Sequence, residues 1–166
     1  MASTYEKIAT TTLGSNQGTV TFSSIPQTYT DLILIGSTQD TRSNGNDFDI
    51  YFNNDLTSNY SQTNLVGNGS SATSSRSSQE IINLGPNVGS NQGYYNATIA
   101  HIMNYTNTTT YKTVLSRGNH PGSATVATVG MWRSTSAITR IDAFPGYTYS
   151  FTTGSTFTLY GILKAA

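Results

Sequence analysis

Cysteine is absent from the chain, which removes disulfide frameworks, zinc–thiolate sites and thiol nucleophiles together. Charge is scarce as well: Asp, Glu, Lys and Arg make up 10% of the 166 residues, against about 25% in an ordinary domain. Eight cations balance eight acids, so the formal charge is +0, and neither nucleic acid nor an anionic membrane is an expected partner. Long hydrophobic runs are missing too. The longest is Leu32–Ile35, far short of the ~20 residues that span a bilayer. Met1–Thr4 leads into Tyr5-Glu6-Lys7 with no basic stretch and no apolar core behind it, so no signal peptide is expected.

What is present is uncharged polarity. The chain holds 28 Thr, 21 Ser and 15 Asn, and its strand signals are short runs of β-branched and aromatic residues bounded by Gly, Asn and Pro. Tyr5–Leu13 and Thr19–Ser23, separated by Gly14-Ser15-Asn16-Gln17-Gly18, read as an opening hairpin. Ile25–Thr30 is a connection, because Pro26 has no amide for a ladder. Asp31–Gln39, with its unbroken Leu/Ile run, reads as a strand buried on both faces. Phe48, Ile50 and Phe52 share one face of the next strand.

Ser58–Ser78 carries much of the Ser and Gly and reads as a surface loop or arm, with one short strand near Asn64-Leu65-Val66. Gln79–Leu84, Tyr94–Tyr105, Tyr111–Ser116, Ala124–Arg133, Ala137–Phe144 and Thr156–Leu163 complete the set. No amphipathic helix and no repeat emerges, so residues 1–166 are expected to form one domain. The expected fold is all-β: a single jelly-roll-like antiparallel β-sandwich of roughly nine or ten strands.

Candidate chemistry is sparse. The two histidines are His101, expected as a structural residue on the Ile99/Met103 face, and His120, expected in an exposed loop before Pro121. No Gly-x-Ser-x-Gly elbow accompanies them, so no catalytic residue and no enzyme activity is expected. Asp40, Asp47, Asp49 and Asp55 cluster within one segment. Asn44-Gly45-Asn46-Asp47-Phe48-Asp49 has oxygen ligands around a Gly turn but lacks the calcium-loop order and its bidentate Glu. These acids are expected to line a solvated strand edge, and no metal or other cofactor is expected. Tyr60, Tyr94, Tyr95, Tyr147 and Tyr149 are expected surface aromatics, able to stack on sugars or enter protein interfaces. Five Asn-x-Ser/Thr sequons match the number expected by chance from this composition.

Three segments together carry a resemblance. Tyr5-Glu6-Lys7-Ile8-Ala9-Thr10 runs on to Val20-Thr21-Phe22-Ser23-Ser24-Ile25-Pro26-Gln27-Thr28-Tyr29-Thr30-Asp31-Leu32. Tyr51-Phe52-Asn53-Asn54-Asp55 is followed by Asn59-Tyr60-Ser61, and Gly154-Ser155-Thr156-Phe157-Thr158-Leu159-Tyr160-Gly161-Ile162 closes the chain. In this combination the sequence resembles small structural proteins of tailed bacteriophages, of the cyanophage and aquatic-phage type. The resemblance implies a virion component with a β-sandwich fold, assembled in the bacterial host cytoplasm.

Two roles are then expected. The first is a capsid decoration (cement) protein, a homo-oligomer and by preference a trimer. It binds the major capsid protein on the outer shell through its N-terminal residues or the 58–78 arm. The second is a tail-fibre or tail-tip domain that binds host surface glycan through loop Tyr, Asn and Asp side chains.

Overall fold

Alternation of buried and half-buried or exposed side chains runs through most strands, so each of these turns one side toward a shared core. The structure, a computed structural model, describes residues 4–43, 46–85, 93–146 and 148–163. Among the described residues there are twelve strands and no helix. They are β1 (Tyr5–Thr12), β2 (Val20–Phe22), β3 (Asp31–Thr38), β4 (Phe48–Phe52), β5 (Tyr60–Gly67) and β6 (Ala72–Gln79). The second half supplies β7 (Ile82–Asn83), β8 (Asn96–Met103), β9 (Lys112–His120), β10 (Ala124–Trp132), β11 (Ile141–Pro145) and β12 (Thr156–Ile162).

Every ladder is antiparallel. Eight strands form a large sheet in the order β1-β12-β3-β8-β9-β10-β5-β6, and four form a small sheet in the order β2-β11-β4-β7. The small sheet lies against one face of the large one, and glycine marks two of the closest approaches. A side chain at Gly130 of β10 would meet Ile82 of β7 at 2.6 Å, and one at Gly36 of β3 would meet Phe48 of β4 at 2.5 Å. Between the sheets Phe48, Phe151 and Phe157 pack edge-to-face, with ring centroids 4.8–5.9 Å apart. Phe52, Tyr60 and Trp132 form a second aromatic group. Fully burying a Phe side chain stabilises the fold by roughly 1.5–3 kcal/mol relative to leaving it exposed.

Several sequence expectations change here. Tyr5–Leu13 and Thr19–Ser23 are not a hairpin: β1 pairs with β12 in the large sheet, whereas β2 pairs with β11 in the small one. The 58–78 segment is not a loop or arm but the β5–β6 hairpin, in register from Tyr60↔Gln79 to Gly67↔Ala72. Its turn is built by Gly69 at φ 85° and by the Asn68 side-chain oxygen, which accepts the Ser70 and Ser71 amides at 3.0 and 2.8 Å. Nearly all of β6 is exposed, so no alternation betrayed it as a strand. Gln79–Leu84 shrinks to the two residues of β7. β3 is buried on both faces only around Ile33, because Ile35 is exposed on the face away from the core.

Candidate functional site

The inner face of the large sheet changes in composition across its width. In β12, β3 and β8 the core-facing positions include Phe157, Leu159, Leu32, Leu34, Ala100 and Ile102, with Thr38, Asn96 and Thr98 buried toward one end. In β9, β10 and β5 the buried Val114, Val126, Tyr60 and Trp132 are joined by a polar set, Ser116, Thr128, Asn64 and Gln62. These groups are hydrogen-bonded. Ser116 Oγ donates to the Leu84 carbonyl at 2.7 Å, Thr128 Oγ1 donates to Asn64 Oδ1 at 2.8 Å, and Gln62 Oε1 accepts the Asn83 amide at 2.7 Å.

Outward-facing positions on the same strands are apolar and open to water: Leu65 is 57%, Val129 51% and Leu115 47% exposed. The ladder registers align the outer side chains in rows. One row runs Tyr160–Ile33–His101–Leu115–Val129–Thr63, with Lys7 at its β1 end and Arg76 at its β6 end. The next runs Thr158–Ile35–Ile99–Arg117–Ala127–Leu65. Ile35, Ile99, Leu115, Val129, Ala127 and Leu65, with the buried Ile33 beside them, thus form a continuous belt across β3, β8, β9, β10 and β5. A groove of about 580 Å³ runs along part of it, bordered by Tyr5, His101 and Arg117.

The charges on this face are few and uneven. Lys7, Arg76 and Arg117 stand among its paired positions, and the carboxylate there is Asp31, already engaged. His101 Nε2 lies 2.8 Å from Asp31 Oδ2, and Asp31 Oδ1 accepts the Asn104 amide at 2.7 Å. His101 is therefore the hydrogen-bonded structural residue expected from its strand position, sharing an outer face with Ile99.

His120 departs from expectation. It ends β9 instead of sitting in a loop, is buried, and lies 3.2 Å from the Tyr94 hydroxyl. Loop residues around it, with Asn68, Asn119 and Ser123, line a shallow pocket of about 340 Å³.

The acids are also not a solvated edge. β4 lies between β11 and β7, and Asp49 on it is 3% exposed. Burial pushes the Asp49 carboxyl well above the usual carboxylate range, with the nearby Asp47 charge adding to the rise. Asp40 is buried too, and burial raises it despite the Arg42 amide and the Asn46 side chain. Asp49 Oδ1 and Asp40 Oδ2 have no hydrogen-bond partner. Asn44 and Gly45 lie outside the described residues, and among those described no three carboxylates or histidines converge as a metal-ligand set.

Asp55 behaves differently. Burial opposes its ionisation, but hydrogen bonds from Thr57, Trp132 and Asn59 outweigh it and hold the carboxyl at about 2. Of the expected surface aromatics, Tyr95 is exposed and Tyr94 and Tyr149 are half-buried, the latter under the Arg42 guanidinium at 5.3 Å. Tyr60 is instead fully buried, its hydroxyl accepting the Phe52 amide and donating to the Asp55 carbonyl at 3.0 Å each. Tyr147 lies outside the described residues.

No family model matches the chain, and no curated protein matches it either. Function is therefore read from the side chains themselves. The outer belt went unnoticed at the level of sequence because alternation alone does not say which side of a strand faces the core. The available signal was the polar set Gln62, Asn64, Ser116 and Thr128, which competed with the apolar set for the inner face.

Proposed function

We propose that the chain is a virion structural protein of the capsid-decoration type, a jelly-roll-like β-sandwich that binds the outer shell and stabilises the head mechanically. The observation that carries this reading is the exposed apolar belt on the outer face of the large sheet. Contiguous exposed apolar surface marks interaction sites, because a free chain gains nothing from displaying it.

Composition supports the same role. A surface of Thr, Ser and Asn has few long charged side chains to immobilise and little like-charge repulsion between crowded copies. Shallow contacts multiplied over a symmetric shell then hold neighbouring subunits together, by preference with the chain arranged as a trimer. The sequence resemblance to tailed-phage structural proteins points the same way.

The test is addition of the purified chain to heads that lack it. Saturable, stoichiometric binding with raised resistance to heat is expected, and cryo-electron microscopy then locates the chain on the shell. Bare heads that bind none, or that already resist heat fully, would overturn the proposal. A second reading, a tail domain that binds glycan, draws on the polar pocket beside Asn68, Asn119 and His120, whose volume of about 340 Å³ suits a sugar ring. Density for the chain at the tail tip would favour it.

A further inference from the structure

Arg117 lies in the middle of the apolar belt. Its ladder neighbours are Ile99 on β8 and Ala127 on β10, and Leu115 precedes it by two residues on the same face. Among the described residues the Arg117 side chain makes no hydrogen bond and no ion pair. A guanidinium at this position is harmless while water reaches it. Once the belt is covered, the charge loses its solvation and must find an anion, or the contact does not form.

Among the described residues the face offers no free anion, since Asp31 is held by His101 and the Asn104 amide. The other two cations, Lys7 and Arg76, stand at opposite ends of the neighbouring row. From these observations we infer that the belt docks a second kind of protein, one that presents an apolar surface centred on an Asp or Glu that pairs with Arg117. The inference deepens the packing role proposed above and rests on it only for the name of the partner.

Size fits such a contact. With the strands on either side of the belt included, the eight-stranded face measures roughly 34 by 26 Å at ~4.8 Å per strand and ~3.3 Å per residue, on the order of 900 Å². A standard interface buries about 800 Å² on each partner.

A second copy of this chain is the wrong occupant. In two-fold, face-to-face pairing the residues nearest the axis meet their own counterparts, so Arg117 would meet Arg117 with no carboxylate between them. A polyanion is wrong as well, because most of the belt is aliphatic and a single central cation neutralises almost none of a phosphate backbone.

The test uses Arg117→Lys, which keeps the charge and supplies an amine. The variant replaces the native chain in the cells that make it, and a zero-length carbodiimide, which joins amines to carboxylates, is added. Arg117→Met serves as the control. Both variants should melt at the same temperature as the native chain, since the arginine has no partner within it.

The expected product joins the amine introduced at position 117 to an Asp or Glu of a different protein, mapped by mass spectrometry. If that protein is the capsid shell subunit, the decoration reading stands with the inference. If it is another protein, the partner chemistry stands and the decoration reading falls. A crosslink from that amine to another copy of this chain, or no product beyond that of Arg117→Met, overturns the inference. Once the partner is identified, Arg117→Glu should weaken its binding by about 100-fold through like-charge repulsion. Unchanged binding by that variant overturns the inference too.

Discussion

The large sheet joins two differently built halves across one hydrogen-bonded surface. In β12, β3 and β8 the core side is mostly apolar, with Thr38, Asn96 and Thr98 buried toward one end. In β9, β10 and β5 the core side carries a hydrogen-bonded polar layer of Ser116, Thr128, Asn64 and Gln62, and the opposite side shows Leu115, Val129 and Leu65 to water. The small sheet meets the second half through its short edge strand β7, where Ile82 packs against Gly130. Polar pairing closes that interior, and apolar surface is left on the outside for use. Stability and recognition divide between the two faces of the sheet, since the belt crosses both halves, with Ile35 and Ile99 in one and Leu115, Val129 and Leu65 in the other.

The sharpest test of this division is removal of a large core ring. Phe157→Ala on β12 should destabilise the chain by about 3–5 kcal/mol in denaturant unfolding. A loss below ~1 kcal/mol would mean the core is not where the stability lies. Next comes the polar layer. Thr128→Val leaves the buried Asn64 oxygen without its donor and should cost ~1–3 kcal/mol. Pairing it with Asn64→Leu should recover most of that, and failure to recover would show that the layer does more than satisfy itself.

Acid and base then distinguish two carboxylates. The Asp49 carboxyl is raised in the folded chain, so its contribution is intact below the ordinary carboxylate range and is lost as pH rises through the folded value. Asp49→Asn should therefore raise the melting temperature at pH 8 more than at pH 4. An equal change at both would contradict the burial argument. Asp55 has the opposite sign. Its folded value of about 2 lies below the unfolded one, so its contribution is present above the unfolded value and disappears between about pH 4 and pH 2. Asp55→Asn should remove that acid-sensitive component from Trp132 fluorescence, and an unchanged acid profile would exclude Asp55 as its source.

The smallest effect on stability is expected on the outer belt. Leu115→Ser should change unfolding free energy by no more than ~0.5 kcal/mol, because the side chain is half in water already. Partner binding should fall while stability holds. A large stability loss would place the belt with the core face.

Much of the all-β character was legible because runs such as Thr156–Leu163 and Ala124–Arg133 combine β-branched residues with alternation. The partners of each strand were not legible. Nothing local tells Tyr5–Thr12 to pair with a segment some 150 residues away instead of with Val20–Phe22. β6 stayed hidden because Ser and Thr on both faces give no period, and a strand needs none when its ladder to β5 does the holding. Asp49 looked like a surface acid because carboxylates usually are. Its burial follows from its place on β4 between β11 and β7 and close to Gly146, which no spacing in the sequence reveals.

The position of β3 also has a consequence in time. Its neighbours in the sheet are β12 and β8, and residues 96–103 and 156–162 leave the ribosome long after Asp31–Thr38. At ~5–20 residues per second, the Leu32–Ile35 run waits several seconds for its first partner and longer for its second. During that interval the most apolar segment of the chain has both ladder edges open. Folding yield should therefore depend on translation speed and on chaperone capacity more than the finished fold, with that strand enclosed, would suggest.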